Sequence, residues 1–481
     1  MNTSALREGR EIVHRILVQG DLTLQTPAHF GNGETEDSID MPLLTDPMEG
    51  RALLTGASLA GALRNYLWEY EQGYGVAYDP QQHRKALAVQ LFGGARSEPD
   101  GVQSPLIVED SLGPMPEIEL RDGVRIDLAT RTAADQAKFD MELLRVGTVF
   151  PLALELLIPV GQDETLRKAL ATALSGLQKG EISLGARKRR GFGECSVRNW
   201  RICDYDLTSP RGRGLLAWLK GDTSSQAQGS DIAALLGQDL ASEPDRRRRF
   251  RMEAAFWLDG SLLIRSGFGA DTGPDAVHLH RPEAGNDRRT PIVPGTSLAG
   301  VIRQRASQIA QTMWGDRGKP WLDLLFGRGP IGKGDEHIGG RVVVRETVVE
   351  NVRSLVQNRI RIDRFTGGVL DNFLFNEAPV FGGPGSLIKL DLTLRNPSPA
   401  EIGIMLLVLK DLWTADLPLG GGANIGRGRL RGVRAELSLD GLVSWTLAQT
   451  WQGRQPGGIQ VTGDQSALET YVAAFNTGGQ A

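Results

Sequence analysis

The 481-residue sequence predicts an α+β protein built from two tandem copies of one ferredoxin-like unit, and three observations carry that expectation. The chain repeats itself in order across its two halves. Each half opens on an alternating, strand-like segment followed by a helix-forming phrase. Sixty glycines, far more than a helical protein needs, announce many turns and close backbone approaches.

The repeat is the firmest of these. LTGASLAGALR at 54–64 returns as VPGTSLAGVIR at 293–303, placing Ser58 and Ser297, and likewise Arg64 and Arg303, 239 residues apart. LFG at 91–93 recurs at 325–327, RID at 125–127 recurs at 361–363, and LGARKRRGFG at 184–193 parallels LGGGANIGRG at 419–428. Low-complexity sequence does not keep four such matches in order at offsets of 234 to 239.

Along each copy the elements follow one plan. Residues 11–26 and 251–265 alternate in the manner of strands, and the repeated phrase then enters a helix. Residues 152–160 and 386–394 read as later strands, and residues 166–177 and 400–415 read as helices. This mixed order predicts an antiparallel sheet with helices on one face, formed twice. The boundaries expected are a first domain over 1–203, a connector over 204–248 with a basic run at 246–249, a second domain over 249–440, and an extension over 441–481 ending in a short docking helix.

Composition excludes several classes. A formal net charge of -4, from 54 basic and 58 acidic side chains, provides no overall field for a polyanion, so nucleic-acid binding has to come from local patches. Only Cys195 and Cys203 occur, without the partners of a structural zinc site, and a reducing cytoplasm is the expected setting. The first residues carry charges where a signal peptide needs an apolar core, and no stretch has the length and apolarity of a membrane span.

Local patches are present. Ser58 and Ser297 stand at helix starts, where free backbone N–H groups suit a phosphate, with Arg64 and Arg303 about two turns further on. Arg187, Lys188, Arg189 and Arg190 lie between glycines, whereas the second copy has only Arg427 there. Around the RID repeats, Arg125, Arg131, Arg361 and Arg364 offer guanidinium forks, and Phe365 offers a ring on which a base can stack. Plain N-capping, solvated basic surface and ordinary core packing are the competing readings.

Two acid-bearing loops complete the pattern. Asp40, in FGNGETEDSIDMPLLTDP at 30–47, and Asp275, in FGADTGPDAVHLHRP at 268–282, lie 235 residues apart. A carboxylate in such a loop can hold a hard divalent ion or orient a ribose 2′-OH for attack on the adjacent phosphate; equally, it can cap a turn. Glu34, Glu36, Asp37 and Asp271 compete for the role, and His278 and His280, two residues apart, share one face of any extended strand.

Taken together, these phrases resemble the RAMP superfamily of CRISPR proteins, specifically the backbone subunits of type III effector complexes, and a fused double unit resembles the backbone protein of a type III-D variant. The resemblance spans roughly 10–200 and 250–440 and implies modified RNA-recognition folds with inserted loops and thumbs. It further implies binding to a CRISPR guide RNA and its complementary target RNA, neighbouring backbone and capping subunits as partners, and antiviral defence as the setting. Target-RNA cleavage would rely on Asp40 and Asp275 as catalytic and metal-holding residues, with Mg²⁺ or another divalent cation bound transiently. A noncatalytic scaffold and a guide-precursor endoribonuclease are the alternatives.

Overall fold

The computed structural model describes residues 11–33, 40–94, 103–127, 133–240, 244–266, 273–286, 288–329 and 338–478, apart from the side chains at 125, 133, 136 and 371–373. The chain separates into two units. Unit 1 gathers Met1–Glu119, Glu142–Lys188 and Phe192–Arg247; unit 2 gathers Leu120–Met141, Arg189–Gly191 and Arg248–Ala481. Residues 204–247 of the expected connector therefore belong to unit 1, and the C-terminal extension belongs to unit 2.

Unit 1 is organised on β1 (Ile12–Leu24), whose Ile16, Val18, Leu22 and Leu24 are buried on one face in the period-2 pattern of a half-covered strand. The helix α1 (Gly56–Gln72) follows, then α2 (Leu87–Phe92) and the short β2 (Leu106–Val108). A long hairpin, β3 (Ile118–Ile126) and β4 (Ala133–Leu144), whose residues Leu120–Met141 are gathered into unit 2, leads back to β5 (Val149–Pro159), α3 (Asp163–Gln178) and β6 (Trp200–Asp206) of unit 1. The sheet runs β6–β1–β5–β2, with Val18 opposite Leu154 on one side and Ile202 on the other. Leu59, Leu63 and Leu67 of α1 and Leu166, Leu170 and Leu177 of α3 fill the core above it.

Unit 2 repeats this plan. Its central β7 (Arg249–Leu262) is followed by β8 (Ala276–His278), α4 (Gly295–Trp314), α5 (Gly318–Phe326) and β9 (Val342–Val344). A second hairpin, β10 (Gln357–Ile362) and β11 (Val369–Ala378), precedes β12 (Leu387–Arg395), α6 (Pro399–Trp413) and β13 (Arg429–Leu439). β7 lies between β12 and β13, with Ala254 opposite Leu390 and Ala435, and β9 pairs with β12 as β2 pairs with β5. The α+β class is as expected.

The sheet continues into β14 (Val443–Gln452) and β15 (Gln455–Thr462), and α7 (Gln465–Asn476) docks on α6. Gly403 permits that docking, since a Cβ there would lie 2.2 Å from the Tyr471 carbonyl oxygen. Phe475 and Trp445 are fully buried, so this extension is a built part of the second core. No helix among the described residues is long and apolar enough to cross a membrane.

Candidate nucleic-acid interface and cleavage site

The two glycine-rich loops are held by the same backbone hydrogen bonds. Leu184 and Leu419 donate to Gly193 and Gly428 at 2.8 and 2.9 Å; Gly193 and Gly428 donate to Pro27 and Ser261 at 2.9 and 2.7 Å. Ala186 and Gly421 donate to His29 and Leu263 at 3.0 and 2.9 Å. Both closing glycines adopt positive φ, and a Cβ at either would lie within 2 Å of the opposing leucine carbonyl oxygen. Each loop is thus fastened to the chain leaving the opening strand, which is the chain that leads to Asp40 or Asp275.

Those two carboxylates occupy equivalent places. Asp40 is exposed and precedes Met41, whose carbonyl accepts the amide of Glu142 on β4 at 3.1 Å. Asp275 is exposed and precedes Ala276, which pairs with Glu377 on β11. The next positions agree as well: Leu43 bridges Gly31, and His278 pairs with Arg265. The Asp275 carboxylate accepts the Asn376 amide at 2.7 Å, and the Glu142 carboxylate accepts the Leu43 amide at 2.9 Å. Glu34, Glu36, Asp37 and Asp271 lie outside the described residues.

The hairpin tip of unit 2 is a compact turn. Asp363 accepts the Thr366 and Phe365 amides at 2.8 and 2.9 Å, which holds its carboxyl below the usual carboxylate range, and the Gly367 amide returns to the Asp363 carbonyl. Asp363 therefore builds the turn, and the turn projects Arg364 and a Phe365 side chain that is 99% exposed. Ordinary core packing of Phe365 is overturned. Arg361 is exposed on β10, two residues before Asp363; Arg131 and the side chain of Arg125 lie outside the described residues.

The helix starts differ from expectation. Thr55 is the N-cap of α1 and accepts the Ser58 amide at 3.2 Å, while the Asp110 carboxylate takes the Gly56 amide at 2.7 Å. These donors are engaged by the protein, which corrects the picture of an open anion site at the first phrase. The phrase is preserved for packing: a Cβ on Gly56 would meet the Val108 carbonyl oxygen at 2.1 Å, and one on Gly295 the Val344 carbonyl oxygen at 2.4 Å. A groove of about 320 Å³ remains along α1, lined by Gly56, Ala57, Gly61, Arg64, Phe92 and Ser104 among others. In α4 the Ser297 amide turns to the Pro294 carbonyl at 3.0 Å, and Arg303 pairs with Asp323 of α5 at 3.0 Å.

Two further expectations change. Arg427 is buried, with Nη1 2.9 Å from Glu377 and Nη2 3.0 Å from the Gln357 side-chain oxygen, so it is a core ion pair and not a surface contact. His278 is also buried: its Nδ1 accepts the Ile264 amide at 3.1 Å, its Nε2 lies 3.0 Å from the Ile292 carbonyl, and burial pushes its pKa down to about 4. It is a neutral structural histidine. Lys188 and Arg189 are exposed, Arg187 and Arg190 are half-buried, and each of the four has an interaction within the protein. Burial lowers the pKa of Arg187, which itself adopts positive φ. Among the described residues, no three His, Cys, Asp or Glu side chains gather to hold a metal.

Sequence reasoning missed two acids that organise the region. The Glu346 side chain is buried between Arg121 and Arg281, with Arg281 at 2.9 Å, and Glu377 is buried among arginines. Neither lies in a repeated phrase. The one available signal was the 235-residue spacing of Glu142 and Glu377, which equals that of Asp40 and Asp275.

A family model, the RAMP superfamily, matches residues 21–196 and 222–431, one stretch in each half. No curated protein matches the chain. The match covers most of the sequence and coincides with the repeated sheets, the glycine-rich loops and the acid-bearing loops, and the chain therefore belongs to the RAMP superfamily of CRISPR-associated proteins.

Proposed function

We propose that this protein is a fused double backbone subunit of a type III CRISPR effector complex, of the type III-D variant kind, that binds guide RNA and cleaves complementary single-stranded target RNA. In this reading both units are modified RNA-recognition domains, and the hairpins are thumbs set against the guide–target duplex. The observation that carries it is the equivalence of Asp40 and Asp275. Each is an exposed carboxylate immediately before the residue that joins its thumb strand, at Glu142 or Glu377.

The chemistry required is modest. The 2′-oxygen of a target ribose forms a bond to the adjacent phosphorus, the P–O5′ bond breaks, and the products are a 2′,3′-cyclic phosphate and a 5′-OH. The 2′-OH proton passes to the carboxylate or to water, and the leaving oxygen takes one up. Asp40 and Asp275 would each orient the 2′-OH and offer hard oxygen ligands, a donor type that fits Mg²⁺ or another divalent cation with RNA oxygens and water completing its shell. When bound, such an ion supplies neutralisation of the charge developing on the phosphoryl oxygens. The fully exposed Phe365 provides a stacking surface for a displaced base.

The test is mapped cleavage of a complementary RNA by the reconstituted guide complex with Mg²⁺. Native protein is compared with Asp40→Ala and Asp275→Ala at equal RNA occupancy. Loss of one distinct product from each variant is expected. Unchanged products from both would remove these aspartates from the chemistry and leave a noncatalytic RNA-binding scaffold.

A further inference from the structure

Glu377 is only 3% exposed, yet three guanidinium groups converge on its carboxylate. Arg427 and Arg359 lie 2.9 and 3.1 Å from Oε2, and Arg265 lies 3.4 Å from Oε1. Arg427 is buried and turns its other nitrogen to Gln357. The other two reach solvent, the Arg265 side chain being 69% exposed and that of Arg359 32%. Three cations on one carboxylate leave positive charge in surplus, even with the neighbouring Asp275 counted. Asp275 is close by construction, since its carboxylate holds the Asn376 amide and the following residue pairs with Glu377.

Among the described residues, the first unit has the same scaffold with other side chains at these positions. Glu142 stands where Glu377 does, but its carboxylate receives the Leu43 amide. Gly31, which bridges Leu43, stands in the place of Arg265, which pairs with His278. Phe192, buried just before Gly193, stands in the place of Arg427 before Gly428. The packing of this corner accordingly does not demand arginines. Arg427 already pairs with Glu377 from within the core, so the two guanidinium groups that reach solvent near Asp275 bring positive charge beyond what neutralises that carboxylate.

We infer that Arg265 and Arg359, oriented by the buried Glu377, form a phosphate-binding site beside Asp275 with no counterpart at the matching described positions of the first unit, and that its ligand is a phosphodiester of single-stranded RNA. Each guanidinium carries five N–H donors in a fixed fork, and Glu377 uses only part of that set. A fork already held by a buried carboxylate loses little freedom when it grips a phosphate. The inference rests on the RNA-cleaving reading above and makes the two cutting positions unequal: the second has this pair of guanidinium groups beside its aspartate, and the described residues of the first have no such pair at the matching positions.

The experiment measures binding of a fluorescent single-stranded RNA oligonucleotide to the full-length protein across a salt series, for native protein, Arg265→Ala, Arg359→Ala, the double variant and Arg265→Lys. Each phosphate contact removed should flatten the log–log salt slope by about 0.7, so the double variant should lose about 1.4, while Arg265→Lys keeps the slope. In the guide-loaded complex, the double variant should slow the product assigned to Asp275 and spare the one assigned to Asp40. An unchanged slope in folded double variant overturns the phosphate site. Should that variant not fold, Arg265→Ala alone decides, because its side chain is mostly exposed. A flattened slope with no cleavage by native protein upholds the phosphate site and refutes the cleavage reading instead.

Discussion

The carboxylate of Asp275 accepts the backbone amide of Asn376 at 2.7 Å, so one side chain both faces solvent and fastens its loop to β11. Alanine at this position removes the fastening together with the charge. Asp275→Ala should lower stability by about 1–2 kcal/mol, whereas Asp275→Asn keeps an oxygen acceptor and should stay within about 0.5 kcal/mol of native. Denaturant unfolding distinguishes them. The asparagine variant is then the cleaner cleavage test: full retention of the second product would show that no carboxylate is needed there.

The closing glycines of the two loops should be equally intolerant. Gly193→Ala and Gly428→Ala each place a Cβ within 2 Å of a leucine carbonyl oxygen at positive φ, and each should cost about 2–5 kcal/mol. Gly33→Ala, also at positive φ but with nothing within 4 Å, should cost about 1 kcal/mol. Thermal unfolding of the three variants ranks them, and equal losses at all three would discredit the steric argument.

Phe365→Ala should leave the unfolding midpoint untouched, because a ring that is 99% exposed contributes no burial. If the ring stacks on a base, the same variant should weaken RNA binding by about 1–3 kcal/mol, roughly 5- to 150-fold. Binding equal to native would leave the ring without a role in recognition.

Glu346 carries Arg121 of the first hairpin and Arg281 on one buried carboxylate. Glu346→Ala removes the carboxylate that both cations share and should cost about 3–5 kcal/mol. The local consequence should be faster amide exchange over residues 120–126. Exchange that accelerates everywhere except in that strand would mean that the ion pair does not anchor it.

Acid should act partly through His278. Its folded pKa, near 4, lies below the ordinary histidine value of 6.5, so below about pH 6.5 the unfolded chain binds a proton that the folded one refuses. The stability due to its neutral form is complete above pH 6.5, declines as pH falls, and is fully lost below pH 4, a change of about 3 kcal/mol. His278→Gln should show a shallower decline between pH 6.5 and 4 than native protein, and parallel pH profiles would contradict this assignment.

Sheet and helix positions were legible because period-2 burial in the two opening strands and the repeated GxSLxG phrase are local properties of sequence. The pairing of Asp40 with Asp275 was legible as spacing. The fate of individual arginines was not. Arg427 and Arg303 look like surface cations in sequence, but their environments are set by Glu377 and Asp323, which reach them only through tertiary packing. Ser58 looked open for the same reason: Thr55 was visible three residues away, but Asp110, which takes the Gly56 amide, is 54 residues distant. The basic run at 246–249 is another case, since Arg247 is buried against Glu181 and Asp245 with Tyr66 beneath its guanidinium.

The assignment of Leu120–Met141 to the second unit bears on gene architecture. A fission event in the connector would yield a leading polypeptide whose hairpin has lost Glu346, the acid that neutralises Arg121, and a trailing polypeptide whose Glu346 has lost one of its cations. Neither product would inherit a finished surface. The two products would restore that ion pair only by associating with each other, an encounter that a single chain makes intramolecular.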